Sequence, residues 1–334
     1  MLLGVIVLWI CEPVPIPVGG LIGVGAIVVL GVAPAGSPPN LIGRGLIEEA
    51  MGTRISFAQW MVMAFPICLG MLIVLAATMF LLNRPEVRRL DGVEDYVREQ
   101  REAQGPMDRA AKNTIIAFGV TITLWLLPAV VSLFAGTDSE LYIFMDDRLD
   151  EGIAAVLGAS LLFILPKDWA TREPTLTWSE AAKIDWGTIL LFGTGIIFGS
   201  MLADTGLAET IGTGASENLG VTRLAAITVF SAVLAVLISE TTSNTAAAAV
   251  IVPIVIPLCQ AMEVDPLVPA VAATFAASFG FMLPVSTPQN AIVYGTGAVP
   301  MVRMIRTGAV FDVLGIILVV TMVPVMVGVV GLSG

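Results

Sequence analysis

The chain has 334 residues, of which 57% are hydrophobic and only 13% are charged, and its mean hydropathy is +0.92. A soluble domain carries about a quarter charged residues, so this composition excludes a water-soluble fold. The net charge is −11, and acidic residues concentrate in the segments 84–108 and 137–151, which we assign to solvent-facing loops.

The apolar stretches have the length and pattern of helices. A helix needs about 20 mostly apolar residues to cross the hydrocarbon core, whereas a transmembrane strand alternates in polarity over about ten residues. Segments 251–258 and 315–330 are apolar on every face, so we predict an all-α polytopic membrane protein. Cys11, Cys68 and Cys259 have no ligand-like spacing, which disfavours a disulfide framework or a metal cage.

The first part of the chain carries two apolar runs before a full span. Residues 1–10 form a partial apolar segment, which the prolines of 12–17 end. A second apolar run covers 19–33. Residues 41–59 mix charged and apolar side chains, as an interfacial helix does, and residues 57–82 are predicted to span the membrane.

Loop charges predict the orientation of the next spans. The segment 84–112 is rich in arginine, so by the positive-inside rule it lies in the cytoplasm. Residues 113–135 then span outward to the acidic segment 137–151, and 152–165 return to a basic cytoplasmic loop. A further outward span is predicted for 186–202.

Two interrupted elements follow in the second half. Residues 225–258 contain the polar cluster 239–245, and neither apolar half exceeds about 14 residues, which is too short to span alone. We therefore predict a re-entrant hairpin. Residues 267–299 form a predicted broken helix, because 284–290 interrupts it with prolines and polar side chains. The last span is predicted for 310–330.

The tip of the hairpin is the first candidate binding site. Polar residues in a membrane segment are costly, and the run 239–245 is too dense to serve only its own helix. The helix that starts near Thr245 points free N–H groups and the positive end of its dipole at the tip, which suits an anion. Ser243, Asn244 and Thr245 add neutral donors. Carbonyls freed at the end of the preceding half-helix supply oxygen ligands for a small cation such as sodium.

The interruption at 286–290 is the second candidate site. Its proline keeps the backbone unwound, so that carbonyls and the Thr287 hydroxyl face a cavity. A simple proline kink is the alternative for this tip taken alone. Paired discontinuous elements at similar depth, however, indicate the binding site of a transporter.

The two tips together resemble the divalent anion:sodium symporter (DASS) family. The resemblance rests on 242–246 (Thr-Ser-Asn-Thr-Ala), Pro253 and 284–292 (Pro-Val-Ser-Thr-Pro-Gln-Asn-Ala-Ile). It covers 186–334, with a shorter match over 36–42. It implies a fold of the ion transporter superfamily, with two inverted repeats that each carry a re-entrant hairpin and a broken helix. It also implies an elevator-type homodimer in the lipid bilayer of the plasma membrane.

The resemblance implies sodium-coupled symport of a succinate-like dicarboxylate or citrate, with no nucleic-acid partner. Exchangers and sulfate transporters of the same fold are alternatives, as is a sodium/proton or arsenite antiporter. An antiporter needs a titrating acid at the tip, and the neutral Ser243, Asn244 and Thr245 argue against it. An enzyme is not expected, because the chain has no histidine and no evident acid pair to act as a general base. Nothing suggests the repeated pore-lining ring of a channel.

The resemblance assigns substrate and sodium ligands by position. The implied substrate contacts are Ser243, Asn244, Thr245, Thr287, Pro288, Ser37 and Pro38. One sodium ion is implied at Ser239, Thr242, Asn244 and Ser286, largely through main-chain carbonyls. A second sodium ion is implied near Gly36 and Asn40.

The same resemblance divides the chain into three parts, and at one point the sequence departs from the pattern of the family. Residues 1–82 correspond to the first repeat, 83–112 to a cytoplasmic charged arm and 113–334 to the second repeat. A Ser-Asn-Thr hairpin of the first repeat is expected between residues 35 and 36. There is no room for it, since each residue adds at most about 3.6 Å. Either a segment is omitted there, or the chain is a shortened form that lacks one sodium site.

Overall fold

The computed structural model describes residues 37–82, 107–136, 139–149, 151–183, 223–295 and 299–332, together with isolated positions elsewhere. Within these residues the chain forms eleven helices and one two-stranded antiparallel sheet. In chain order the elements are α1 (Pro38–Met51), α2 (Phe57–Leu82), α3 (Arg109–Ala135), α4 (Glu140–Arg148), α5 (Glu151–Ile164), β1 (Pro166–Asp168), β2 (Glu173–Pro174), α6 (Trp178–Ala181), α7 (Leu224–Thr241), α8 (Asn244–Ala261), α9 (Leu267–Ala276), α10 (Pro288–Gly295) and α11 (Met301–Val329).

Five of these helices are long and apolar enough to cross a bilayer, namely α2, α3, α7, α8 and α11. Much of their surface faces outward. Only 11% of the most apolar window of α3 and 28% of that of α2 is buried inside the protein. Apolar surface on this scale needs lipid around it. The prediction of a mainly helical, polytopic membrane protein is therefore confirmed.

The described residues divide into two compact units. The first unit contains residues 37–55, 59–82 and the described residues from 186 onward, and so includes α1, most of α2 and α7 to α11. Helix α9 lies at its centre, because nine of its ten residues are buried and α1, α7, α8 and α11 all pack against it. A helix that is apolar on every side has to be covered in this way.

The second unit contains residues 56–58 and the described residues of 107–183. In it, α3 packs against α4 and α5. The side-chain amide of Asn113 on α3 donates to the Pro166 carbonyl (3.1 Å) and to the Thr175 hydroxyl (2.7 Å). These bonds hold the strand pair β1 and β2 against α3. The sequence pattern does not predict this strand pair.

The prediction of an interfacial helix over residues 41–59 is wrong in the bounds of the helix and in its surroundings, which are protein. Helix α1 ends before Gly52, whose φ of 61° lies in the left-handed region that favours glycine. The helix packs against α8 and α9, and Arg44 is only 5% exposed. The Glu48 carboxylate accepts hydrogen bonds from Arg44 Nε (3.1 Å) and from the Ile55 N–H (2.7 Å). Arg44 and Glu48 of α1 therefore pair with each other, and Arg44 does so inside the protein.

The two interrupted elements are present with different lengths from those predicted. The hairpin consists of α7 and α8, separated by Thr242 and Ser243. The expectation that each half is too short to span alone is wrong, since both helices have 18 residues and both are candidate spans. The polar residues beside the tip are themselves helical, so a count of apolar residues alone underestimates the length of each helix. The broken helix consists of α9 and α10, separated by residues 277–287.

Three of the predicted spans in the described part are long apolar helices. The bounds of α2 are those predicted, and α3 and α11 include most of the predicted spans 113–135 and 310–330. Helix α5, at the predicted span 152–165, is apolar but has only 14 residues and is shorter than the candidate spans. The following predictions lie outside the described residues: the apolar segments 1–10 and 19–33, Gly36, the missing hairpin between residues 35 and 36, most of the arm 83–112 and most of the span 186–202.

The stability of the first unit should depend on Trp60. This side chain of α2 is fully buried and its ring lies 5.1 Å from that of Phe275 on α9, centroid to centroid. Trp60→Ala should therefore destabilise the protein by about 3–5 kcal/mol through lost contacts and the remaining cavity. The melting temperature can be followed in detergent with a thiol-reactive dye that reports exposure of Cys68 and Cys259. Trp169→Ala, at a residue that is 66% exposed, is the control, and an equal loss in both variants would contradict the prediction.

Candidate functional site

The junction of α7 and α8 is built from residues that leave a helix readily. The Thr242 hydroxyl bonds back to the Ile238 carbonyl (2.7 Å), which ends α7. Ser243 then has extended backbone angles, and its hydroxyl oxygen accepts the Ala246 N–H (3.2 Å), which caps α8. The chain therefore reverses within two residues, and the N-terminus of α8 begins beside the C-terminus of α7.

The loop between α9 and α10 is fixed by one side-chain amide. The amide nitrogen of Asn290 donates to the carbonyls of Gly280 and Leu283, both at 3.0 Å. The Thr287 hydroxyl oxygen accepts the Asn290 N–H (3.1 Å) at the start of α10. Pro288 is the first residue of α10, where a missing N–H has no cost. The loop consequently brings a second helix N-terminus to the site.

Oxygen atoms from both interruptions meet in a buried group, here called the oxygen cluster. Its members are the side-chain oxygens of Ser239, Asn244 and Ser286 and the main-chain oxygens of Ser239 and Ala277. The Ser239 hydroxyl lies 2.7 Å from Asn244 Oδ1 and 2.7 Å from the Ala277 oxygen. The Ser286 hydroxyl donates to the Ser239 carbonyl (2.8 Å) and lies 3.5 Å from Asn244 Oδ1. Ser239 is 0% exposed and Ser286 is 1% exposed.

The oxygen cluster has fewer protons than acceptor atoms. Its two hydroxyl groups can donate one hydrogen bond each, whereas two carbonyl oxygens and Asn244 Oδ1 all accept. One N–H of the Asn244 amide donates to the Ser278 carbonyl (3.1 Å), which is not a member of the cluster. A neutral group of oxygens with spare acceptor capacity, at the carbonyl ends of two interrupted helices, has the ligands that a small hard cation takes.

Gly280 makes the close approach possible. A Cβ atom built on Gly280 would overlap the Ser286 hydroxyl and would lie 2.8 Å from both Asn244 Oδ1 and Ser239 Oγ. No side chain fits at position 280 without displacing the cluster. The sequence analysis did not single out this residue, and the only signal for it was a glycine between two phenylalanines at the start of the loop.

The N-terminus of α8 offers donors next to the cluster. The described hydrogen bonds satisfy the N–H groups of Ala246 and Ala247, both through Ser243. Within the described part of the chain this leaves the N–H groups of Asn244 and Thr245 directed beyond the helix start. The Thr245 side chain is half-buried at the same end. These donors and the helix dipole together suit an anion.

Other predicted site residues lie elsewhere in the first unit. Ser37 precedes α1 and Pro38 is its first residue, while Asn40 is 4% exposed. Although α1 packs against α8 and α9, none of the hydrogen bonds of the described residues joins Ser37 or Pro38 to the oxygen cluster. The Thr242 side chain turns back on α7 and does not enter the cluster.

The structure thus brings together three of the predicted residues of the two second-half tips, namely Ser239, Asn244 and Ser286. Discontinuous helices whose ends meet at a buried polar site are typical of secondary transporters. A family described as "Sodium:sulfate symporter transmembrane region" matches residues 32–331. The chain belongs to this family, which confirms the resemblance to the divalent anion:sodium symporters and agrees with the prediction of a transporter rather than an enzyme.

Proteins that are similar to this chain are named as sodium-dependent transporters. The chain is 31% identical over 290 residues to the sodium-dependent dicarboxylate transporter SdcS of Staphylococcus saprophyticus, and the match covers 86% of this chain and 54% of that protein. It is 28% identical over 294 residues to the protein of the same name from Staphylococcus aureus strain USA300, with the same coverage of 86% and 54%. The chain therefore spans about half the length of these relatives.

Proposed function

We propose that this chain is a secondary active transporter that carries a small dicarboxylate or citrate together with sodium ions. The observation that carries the proposal is the approach of Ser286 to Asn244 at 3.5 Å. This contact joins the two interrupted elements, which are the α7–α8 hairpin and the broken helix α9–α10. Neutral oxygens would lie on one side of the contact and two helix N-termini on the other. One compact site can thus bind a cation and an anion side by side, as symport requires.

The sodium ion would bind in the oxygen cluster. Ser239, Asn244 and Ser286 provide side-chain oxygens, and the main-chain carbonyl of Thr242 lies at the same junction. All of these ligands are neutral, which matches a monovalent cation better than a divalent one, since a divalent ion in a protein generally requires carboxylates. The names of the two relatives, which contain "sodium-dependent", support this choice.

The substrate carboxylate would bind at the start of α8. The N–H groups of Asn244 and Thr245 and the hydroxyl of Thr245 are the donors, with Ser243 beside them. Thr287 precedes α10 and Pro288 begins it, and both would border the carboxylate from the other side. Charge compensation would come from the helix dipoles and the neighbouring sodium ion rather than from a basic side chain.

The first repeat would supply the other half of the site. Ser37 and Pro38 stand at the N-terminus of α1, and we assign them to the second carboxylate, with a second sodium ion near Gly36 and Asn40. In this proposal residues 1–82 belong to the first repeat, 83–112 form a cytoplasmic arm and 113–334 belong to the second repeat. The Ser-Asn-Thr hairpin of the first repeat would belong between residues 35 and 36, where either a segment is omitted or the chain is a shortened form.

The proposed architecture is that of an elevator-type transporter. Helices α7 and α8 would form a re-entrant hairpin and α9 and α10 a broken helix, related to the first repeat by inverted symmetry. Two copies would form a homodimer in the plasma membrane. The buried polar residues at the junction of α7 and α8 support the re-entrant arrangement, because a tip exposed to lipid would leave them without partners.

Sulfate is the second candidate substrate, because the family description contains it. A tetrahedral dianion could use the same helix N-termini. A dicarboxylate carries two separated charges, however, and would need donors at both ends. The assignment of Ser37 as a donor to the far carboxylate, with Pro38 bordering it, is therefore what distinguishes the two substrates structurally.

Uptake by proteoliposomes tests the proposed function. The full chain is reconstituted, and labelled succinate, citrate and sulfate are offered with an inward sodium gradient or with potassium in its place. Uptake of succinate or citrate should require sodium. Uptake that is indifferent to sodium would defeat symport, and uptake that appears only in vesicles preloaded with unlabelled substrate would identify an exchanger.

A further inference from the structure

A basic cleft in the first unit lies outside the oxygen cluster. Its volume is about 320 Å³, and its lining among the described residues consists of Leu82, Pro300, Val302, Arg303, Arg306 and Thr307. None of these residues belongs to the sites proposed for sodium or for the substrate carboxylates. The cleft therefore calls for a ligand of its own.

Two candidate spans, α2 and α11, end at this cleft. They run antiparallel, because the Gln59 amide donates to the Val330 carbonyl (3.4 Å) and a Cβ atom built on Gly70 would lie 2.8 Å from a methyl group of Leu318. Leu82, the last residue of α2, accordingly meets the start of α11. The ends of two spans mark a membrane surface. Since α2 leads directly into the arginine-rich arm, this surface is the predicted cytoplasmic one.

The two arginines of the cleft have no counter-charge. Arg303 and Arg306 are three residues apart and share a face of α11, and neither forms an ion pair within the described part of the chain. The first turn of α11 contains no acidic residue. Positive charges near a helix N-terminus oppose the helix dipole, and like charges at this spacing repel each other. An anion bound between the two guanidinium groups would relieve both unfavourable interactions.

Main-chain donors lie at the same place. The Pro300 carbonyl accepts the N–H groups of Arg303 (2.9 Å) and Met304 (3.1 Å). The N–H groups of Met301 and Val302 have no acceptor among the described residues, so they are directed beyond the start of α11. A helix N-terminus beside two guanidinium groups is an arrangement that binds phosphate. The cleft thus has the donors for a phosphate group.

Apolar side chains beside the cleft favour a lipid as the source of the phosphate. Val302 is 78% exposed, and Leu81 at the end of α2 is 71% exposed. Ile305 stands between the two arginines in the chain and is also exposed. Such side chains at the ends of membrane spans contact acyl chains, whereas a soluble phosphate gains nothing from them. A phospholipid matches both the charged and the apolar parts of this surface.

We propose that the cleft between the end of α2 and the start of α11 binds the phosphate headgroup of an anionic phospholipid. Arg303 and Arg306 bind the phosphate oxygens together with the free N–H groups of α11, and Val302 contacts an acyl chain. Anionic lipids populate the cytoplasmic leaflet, and basic pockets between membrane helices on that side bind such headgroups. The inference does not rest on the proposed transport function, because it involves none of the substrate or sodium ligands.

Titration of the purified full chain with phosphatidylglycerol in a non-ionic detergent tests the proposal. Native mass spectrometry, which counts lipids on the folded chain, should show saturable binding, and the melting temperature should rise with lipid concentration. Phosphatidylcholine, which has no net charge, should bind much more weakly. The double variant Arg303→Gln/Arg306→Gln should bind phosphatidylglycerol about tenfold less tightly or weaker still. Equal binding of the two lipids, or unchanged binding in this variant, would overturn the proposal.

A matched double variant separates the cleft from net charge. Arg148→Gln/Arg223→Gln removes the same two charges from exposed arginines that do not line the cleft. It should bind phosphatidylglycerol as the parent chain does. A loss equal to that of Arg303→Gln/Arg306→Gln would mean that overall charge attracts the lipid, and the site would be refuted.

Soluble phosphates distinguish the two sources of the bound group. Inorganic phosphate and glycerol 3-phosphate carry the same phosphate without acyl chains, so neither should displace phosphatidylglycerol at an equal concentration. Displacement by either compound would assign the cleft to a soluble phosphate and would contradict the lipid site. All of these measurements are made without transport, so the lipid site and the proposed function can fail separately.

Discussion

The Gly280→Ala variant is expected to lose sodium-driven uptake at physiological sodium, with the half-maximal sodium concentration raised by about a hundredfold. The added methyl group would overlap the Ser286 hydroxyl and approach Asn244 Oδ1 and Ser239 Oγ to 2.8 Å. All three are proposed sodium ligands, and a ligand set displaced by even about 1 Å loses its fit to a small cation. The measurement is initial uptake of labelled succinate over a series of sodium concentrations.

Gly119→Ala is the matched control for this variant. Gly119 lies inside α3, and a Cβ atom there has nothing within 4 Å. The same chemical change should therefore leave uptake unaltered and can slightly stabilise the helix. Normal sodium dependence in Gly280→Ala would show that the oxygen cluster does not bind the transported cation.

The Thr245→Val variant is expected to weaken substrate binding by at least about tenfold while retaining sodium binding. Valine has nearly the shape of threonine but lacks the hydroxyl donor, and a site built around hydrogen bonds to an anion is sensitive to such a loss. The side chain is half-buried at the start of α8, beside the N–H groups proposed for the carboxylate. The measurement is the succinate concentration for half-maximal uptake at saturating sodium.

Thr321→Val serves as the control for Thr245→Val. The Thr321 hydroxyl bonds carbonyls of its own helix, at 2.8 Å to Ile317 and 3.1 Å to Leu318, and the residue is exposed. The same substitution there should not change uptake. Full activity and unchanged succinate affinity in Thr245→Val would remove the start of α8 from the substrate site.

The positions of the helix interruptions could be predicted because they leave a local mark. Dense polar residues around Ser243, and prolines together with polar residues around Thr287, stand out from apolar surroundings, and both mark real breaks. The lengths of α7 and α8 were underestimated for the same reason. Polar residues such as Ser239 and Thr241 continue the hydrogen-bonded helix although they end the apolar run.

Contacts between distant segments could not be predicted. The oxygen cluster needs the Ala277 carbonyl and the open space at Gly280, which are features of the backbone and not of a motif. The burial of α1 was missed because Arg44 and Glu48 resemble surface residues when their mutual pairing is unknown.

The oxygen cluster bears on the order in which the proposed cargo is loaded. It lies at the carbonyl ends of α7 and α9, and Ser239 is 0% exposed, so water screens the charge of an ion bound there only weakly. In the proposed transporter a sodium ion in the cluster would place a positive charge beside the start of α8 and favour arrival of the dianion. We therefore expect sodium to bind first. On the opposite side of the membrane, departure of the sodium ion would remove this attraction and hasten release of the anion.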